Sequence, residues 1–141
     1  MADSRRERIF KQLETTLKAI QGVGDVTRGK IDATTIQRNR SLALYPGADE
    51  VADYLGDSID RTMEVFVFAW CMAQTDVTAE IEAFLPVVQK ALAADHTVNG
   101  LAIDLNEDSV SERILTEQQT EGGFIVNLSC RYRVRRDDPY S

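Results

Sequence analysis

The chain has 141 residues and a formal net charge of −7, with 43% hydrophobic and 28% charged residues. A chain of this size can bury about two thirds of its unfolded surface, so it can fold without a metal or disulfides. The negative charge argues against a general nucleic-acid binder, because binding to a nucleic-acid backbone needs a surplus of Lys and Arg on the contact face. No Pro-, Gly- or Ser-rich tract resembles a linker, and we expect residues 1–141 to form a single domain.

The sequence predicts a protein that stays in a cytoplasm and does not enter a membrane. No apolar run approaches the ~18 residues that span a bilayer, and the first ten residues, MADSRRERIF, lack the apolar core of a secretion signal. Cys71 and Cys130 both fall on strand-like segments. This placement indicates two buried, reduced thiols in a shared core rather than a disulfide or a catalytic thiol.

A first helix is predicted near the start of the chain. Ser4 and Glu7 have the spacing of a capping box, and Gly22 and Gly24 provide a stop. Between them, apolar residues recur at helical spacing: Ile9, Phe10, Leu13, Leu17 and Ile20.

A polar segment without clear periodicity, VTRGKIDATTIQRNR, runs from Val26 to Arg40, with a possible short strand near Val26. Loops longer than ~12 residues are usually functional or mobile. We interpret residues 29 to 40 as a contact arm, with plain disorder as the alternative. The strand SLALYPG follows, and Pro46 and Gly47 are predicted to end it.

Two acidic stretches invite a metal interpretation, which the spacing does not support. Residues 49 to 60 contain five acids and no base, but lack the register of a calcium loop. The stretch from Asp104 to Asp108 has Ser109 where that loop needs Gly and Leu115 where it needs Glu. We therefore predict no metal site and interpret the acids as solvated faces.

The strongest strand is RTMEVFVFAWCMA, residues 61 to 73, which is apolar on both faces beyond Glu64 and is predicted to be central. A second helix, DVTAEIEAFLPVVQKALAAD, follows, and Pro86 is predicted to kink or split it. Its apolar stripe consists of Ile81, Leu85, Val88 and Leu92.

The last third of the sequence predicts a short strand, LAIDL, followed by a hairpin. The first strand of the hairpin is SVSERILTEQ, the turn is at residues 121–123, and the closing strand pairs with the first. The closing strand has an apolar side and a polar side that carries Arg131, Arg133 and Arg135. Its apolar side consists of Phe124, Val126, Leu128, Cys130, Tyr132 and Val134. Pairing of Glu112 with Arg131 or Arg133 across the hairpin is one explanation for these arginines.

The elements run α, β, β, α, β, β-hairpin. This order predicts the α+β class, with a mostly antiparallel sheet of four to five strands and two helices packed on one face.

No residue pattern indicates catalysis. His96 is the only histidine and is predicted to lie in an exposed loop, while Glu64, the only acid in an apolar setting, is interpreted as the partner of an arginine. The segment GVGDVTRG follows a helix, whereas phosphate-binding loops follow a strand. We expect neither an enzyme nor a cofactor.

The order of these elements resembles the tail terminator, or tail-completion, proteins of long-tailed bacteriophages, including the minor tail protein U type. The resemblance covers roughly residues 5 to 139 and rests on the segments LALYPG, RTMEVFVFAW, TAEIEAFLPVVQKALAAD, HTVNGLAIDL and YRVRRDDPYS.

The resemblance implies an α+β subunit of a ring, commonly a hexamer, that caps the tail tube, stops its polymerisation and offers the surface to which the filled head attaches. The implied partners are further copies of the chain, the tube protein and a head-completion protein, while DNA passes through the channel without specific binding. The implied location is the head-proximal end of the virion tail, in a phage or prophage, after assembly in the host cytoplasm. The alternatives are a neck or head-completion protein and a small host ligand-binding domain.

Arginine use points to protein contacts. The chain has 12 Arg and 4 Lys, and Arg is favoured where interface geometry is fixed. The predicted subunit or tube contacts are Arg131, Arg133, Arg135, Arg136, Lys30, Arg38 and Arg40.

Overall fold

The protein consists of two helices over one face of a five-stranded sheet, in a computed structural model that describes residues 3–29, 40–114 and 120–141. The elements are α1 (Arg5–Lys18), β1 (Asp25–Arg28), β2 (Arg40–Leu55), β3 (Ser58–Met72), α2 (Val77–Ala94), β4 (Asp104–Ile114) and β5 (Glu121–Arg135). The strand order is β1-β2-β3-β5-β4. All neighbours are antiparallel except β1 and β2. The predicted α+β class and the mostly antiparallel sheet are confirmed.

The core lies between the sheet and the helices. Every predicted apolar residue of β5 is buried, and so are the alternate residues of β3 from Met63 to Cys71. Phe124 meets Phe84 of α2 edge to face, with 5.5 Å between ring centres. Cys71 and Cys130 are buried free thiols in this one core, as predicted.

Helix α1 begins where the sequence predicts. The Glu7 amide donates to the Ser4 side-chain oxygen at 3.0 Å, and the predicted apolar stripe is buried. The Glu7 carboxylate does not complete the capping box, because it accepts two hydrogen bonds from Arg28 instead.

Helix α2 runs without interruption through Pro86. Of the predicted kink or split, the split is therefore wrong and the kink stays a prediction. Pro86 and Glu82 both lie on the exposed side, where water can satisfy the Glu82 carbonyl that would otherwise accept from residue 86. Phe84 joins the buried stripe, whereas Leu85 is only partly buried.

Strand β2 differs most from its prediction, because it continues past Pro46 and Gly47 to Leu55. The Leu44 carbonyl accepts a hydrogen bond from the Gly29 amide, next to β1, so the backbone groups of Leu44 face the outer edge of β2. Alternate residues of a strand present their backbone groups to the same edge. The Pro46 nitrogen, which has no hydrogen to donate, therefore also faces this outer edge. The β1 strand pairs only with residues 41–44, so the proline interrupts no hydrogen bond between described strands.

A bulge after Pro46 explains Gly47. A Cβ on Gly47 would lie 2.6 Å from the Phe66 ring, and the exposed Glu64 carboxylate accepts from the Ala48 amide at 3.2 Å. Glu64 therefore supports the bulge, and the predicted pairing of Glu64 with an arginine is wrong.

The last hairpin also has a different register. Only Asp104 and Leu105 of the predicted strand LAIDL are in a strand, and they form one strand, β4, with the start of the predicted hairpin. Residues 101–103 lie in the preceding turn, while Gly122 and Gly123 lie within β5. A Cβ on Gly123 would lie 2.0 Å from the Ala69 carbonyl oxygen, so close strand packing requires glycine there. Glu112 faces Phe124, so its predicted pairing with Arg131 or Arg133 is wrong.

Candidate interaction surface

Three strands extend beyond the others at one end of the sheet. Strand β4 begins only at Asp104, which lies opposite Arg131. Strands β2 and β3 continue past this level to the turn at 56–57 that joins them, and β5 continues to Arg135. We call this region the three-strand end: residues 49–61 and 131–136. It contains four of the seven predicted contact residues.

Asp60 is the carboxylate at the centre of this end. Its side chain is 2% exposed and accepts hydrogen bonds from Arg133 Nε at 2.7 Å, Arg133 Nη2 at 3.1 Å and Arg131 Nη2 at 3.1 Å. The Arg133 hydrogen bonds, helped by Arg131 and opposed by burial, hold the pKa of Asp60 below its usual value. Because two guanidinium groups share one carboxylate, the cluster keeps a surplus positive charge.

Asp49 forms a second cluster on the helix side of the sheet. It accepts from the Tyr132 hydroxyl at 2.6 Å and lies 3.4 Å from Arg6 and 3.7 Å from Arg61. Burial and the Asp49 hydrogen bond raise the pKa of Tyr132. The interpretation of the acidic stretch as solvated is therefore wrong for Asp49 and Asp60, whose side chains are 12% and 2% exposed.

The remaining acids of the stretch are exposed and lie beside apolar side chains. Glu50, Asp53 and Asp57 are exposed, as predicted. Val51, Tyr54 and Leu55 are also exposed, Tyr54 to 58%. We call residues 49–57, which form the end of β2 and the turn that follows it, the acidic hairpin. Its exposed apolar residues were not predicted from the sequence, although apolar residues within an acidic run are a signal that could have indicated them.

The arginines near the start of the chain act within the subunit. Arg5 donates from Nε to the Ser141 main-chain oxygen at 2.9 Å and from Nη1 to the Leu101 carbonyl at 3.1 Å. Arg8 donates to the Tyr140 carbonyl at 2.5 Å. These bonds hold the final residues against α1.

The predicted contact arginines fall into different settings. Arg135 is 64% exposed, and its Nε lies 3.8 Å from Asp137. Arg136 lies over the Tyr54 ring, 5.0 Å from its centre. Arg40 lies at the other end of β2, where it pairs with Glu80 at 2.5 Å and covers the Phe84 ring. Lys30 and Arg38 fall outside the described residues.

An open cavity of about 320 Å³ lies beside β5 at the three-strand end. Its lining includes Arg5, Arg133, Arg135, Leu101 and Ile103, and it contains no Asp or Glu among the described residues. Ile103 is one of the exposed large hydrophobic residues. We call this cavity the arginine pocket.

The described residues offer little for catalysis. Burial raises the pKa of both thiols to about 12, which leaves them almost fully protonated at neutral pH. His96 is exposed, as predicted, and its Nδ1 lies 3.1 Å from Asp104. Within residues 3–29, 40–114 and 120–141, no group of three metal-binding side chains could hold an ion, and no helix is long and apolar enough to cross a membrane.

No protein-family model and no curated protein matches the chain. Among solved structures, it is similar to a chain from the virion of a native gene transfer agent particle, with 12% identity over 93% of this chain and 96% of that chain and a TM-score of 0.48. It is also similar to a chain from the sheath/tube terminator of an extracellular contractile injection system, with 11% identity and a TM-score of 0.46. That likeness covers 94% of this chain and 58% of the other. Likenesses at this level do not decide a function.

Proposed function

We propose that the protein is a tail terminator: a ring-forming structural subunit that caps a tail tube, stops its polymerisation and offers a surface for head attachment. The observation that carries the proposal is the three-strand end, which exposes acids, arginines and apolar side chains together. A ring requires two different, complementary patches on each subunit, and this end provides both signs of charge on one small domain. The sequence resemblance to tail terminators supports the same function.

The proposal involves no cofactor and no chemical step. Its partners are further copies of the chain, commonly six in a ring, together with the tube protein and a head-completion protein. The net charge of −7 per subunit favours passage of DNA through the ring without adhesion, because like charges repel within about 8 Å at physiological salt. The proposed location is the head-proximal end of the virion tail.

Negative-stain microscopy of the concentrated protein, alone and mixed with purified tail tubes, tests the proposal. We expect rings of one size, and tubes that carry such a ring at one end and no longer extend. Binding to filled heads without capping of tubes would favour a head-completion protein instead. A constant monomeric mass at all concentrations, with no binding to tubes or heads, would overturn both functions.

Mutation of the arginines adds a test at the residue level. Removal of Arg131 and Arg133 leaves the buried Asp60 without its partners, so loss of assembly in that variant could follow from misfolding. Replacement of Arg135 and Arg136 by Ala avoids this problem, because both side chains are exposed. We expect a folded monomer that forms fewer rings and caps fewer tubes, whereas Lys11→Ala on exposed α1 should assemble normally.

A further inference from the structure

The acidic hairpin and the arginine pocket lie on opposite lateral sides of the three-strand end. The hairpin contains the outer edge of β2, with which no other described strand pairs beyond Leu44, while the pocket lies beside β5. Two strand spacings, about 10 Å, separate β2 from β5. A head-to-tail ring needs this arrangement, since each subunit must contact one neighbour on each side.

The two surfaces are complementary in charge. The acidic hairpin carries four carboxylates and no Lys or Arg, and three of the four are exposed. The arginine pocket carries Arg133 and Arg135, whose side chains are 52% and 64% exposed, and its described lining residues include no Asp or Glu. Arg133 already pairs with Asp60, which lies outside the lining and also binds Arg131. The acid nearest to Arg135 is Asp137, at 3.8 Å and outside the lining, so most of the Arg135 charge remains available.

The two surfaces also match in apolar character. Val51, Tyr54 and Leu55 project from the hairpin, and Leu101 and Ile103 line the pocket. Exposed large apolar residues that lie next to charges are typical of interface cores with a polar rim.

Direct pairing between strand edges is a poorer route to assembly. The outer edge of β2 carries Pro46 and two bulges, and β4 carries a bulge between Glu107 and Ser109. Both edges are acidic, so they repel one another. Proline, bulges and charge are the features by which proteins prevent edge-to-edge pairing.

We propose that the acidic hairpin of one copy of this chain docks into the arginine pocket of the next. This inference names the subunit contact of the proposed ring and rests on that proposed function. The hairpin acids meet Arg133 and Arg135 of the neighbour, while Leu55, on the same face of β2 as Asp53, covers Leu101 and Ile103. Repetition of this contact around an axis closes the ring.

Charge exchange between two variants tests the contact. The first carries Asp53→Lys and Asp57→Lys, and the second carries Arg135→Glu. Each variant alone places like charges at every contact, so we expect its association to weaken by roughly tenfold or more. In an equimolar mixture, rings in which the two variants alternate have opposite charges at the changed positions of every contact, and we expect rings again. Sedimentation velocity gives the oligomer mass, and circular dichroism verifies that each variant is folded.

A matched control separates local charge from total charge. The variant Glu82→Lys, Glu112→Lys changes two exposed acids outside both surfaces and should assemble like the unmodified chain. The docking proposal fails if either test variant assembles normally, or if the mixture remains dissociated. It also fails if the unmodified chain stays monomeric at high concentration, both alone and with tubes.

The outcomes distinguish this contact from the proposed function. If the unmodified chain forms rings that cap tubes while charge exchange has no effect, the function stands and the docking contact is wrong. If charge exchange controls ring formation but the rings never cap a tube, the contact stands and the tail-terminator function is wrong.

Discussion

At the residue scale, Asp60 is the most important single side chain for the stability of the three-strand end. It lies in a run of acids that resembles a solvated face, yet its side chain is almost completely enclosed and receives two arginines. Those arginines come more than 70 positions later in the chain, so no local pattern could assign them. The alternation that buries Phe124 through Val134 is local, and it was therefore predictable.

Replacement of Asp60 by Asn should destabilise the fold. The amide cannot balance two guanidinium groups, and hydrogen bonds to charged groups contribute about 1.5–3 kcal/mol. We expect a loss of that order in the free energy of unfolding at about pH 7, measured by urea titration. Asp57→Asn is the exposed control and should change this free energy by less than about 0.5 kcal/mol.

The cost of Asp60→Asn should depend on pH. The pKa of Asp60 is lower in the folded state than its ordinary value of 3.8, so its stabilisation is complete above that value. The stabilisation disappears as the pH falls through the folded-state pKa. We therefore expect the difference between the two proteins to shrink in urea titrations as the pH is lowered below 3.8. An undiminished difference there would argue against an ionic role for Asp60.

The two thiols should be unreactive in the folded protein. With a pKa of about 12, roughly one thiol in ten thousand is ionised at about pH 8. We expect an aromatic disulfide reagent to modify neither Cys71 nor Cys130 until urea unfolds the chain, as measured by absorbance. Rapid labelling without urea would contradict the burial of both side chains.

At the element scale, helices were predicted more accurately than strands. The cap at Ser4 and the apolar stripe of α1 are local features, and the structure retains both. The end of β2 could not be predicted from the local sequence. Pro46 is tolerated inside the strand only because it lies at an outer edge, which the residues around it do not reveal. The register between β4 and β5 likewise depends on a bulge that no sequence signal announced.

The contact between α1 and the final residues can be tested directly. Replacement of Arg5 by Ala removes its side-chain hydrogen bonds to Ser141 and Leu101. We expect faster amide hydrogen exchange in residues 136–141, measured by mass spectrometry, with little change in β3. Lys11→Ala on the same helix should leave exchange in this segment unchanged, and equal exchange in both variants would contradict the anchoring role of Arg5.

At the scale of the whole molecule, the sequence predicted the layer arrangement but only part of the candidate surface. Arg131, Arg133, Arg135 and Arg136 do lie together, because one short segment carries them all. The acidic hairpin was not predicted as their neighbour, since its position depends on the strand order β2-β3-β5. Whether these residues contact another subunit remains a prediction.

Assembly through opposite charges should be sensitive to salt. The screening length falls from about 10 Å at 0.1 M to about 3 Å at 1 M salt. We expect the proportion of rings to fall over this range, measured by light scattering at fixed protein concentration. Sucrose at matched osmolality should have no such effect. A proportion of rings that rises with salt would indicate that apolar contacts, rather than charges, dominate the interface.

The hydrogen bond from the Arg5 amide to the Pro139 carbonyl has a practical consequence for protein engineering. Because residues 5 and 139 are neighbours, affinity tags fused near either one emerge at the same corner, beside the arginine pocket. Such tags would compete with a docking partner for space. A circular permutant that joins these two segments by a short linker and opens the chain between Met72 and Val77 would move a tag to the far end of the sheet.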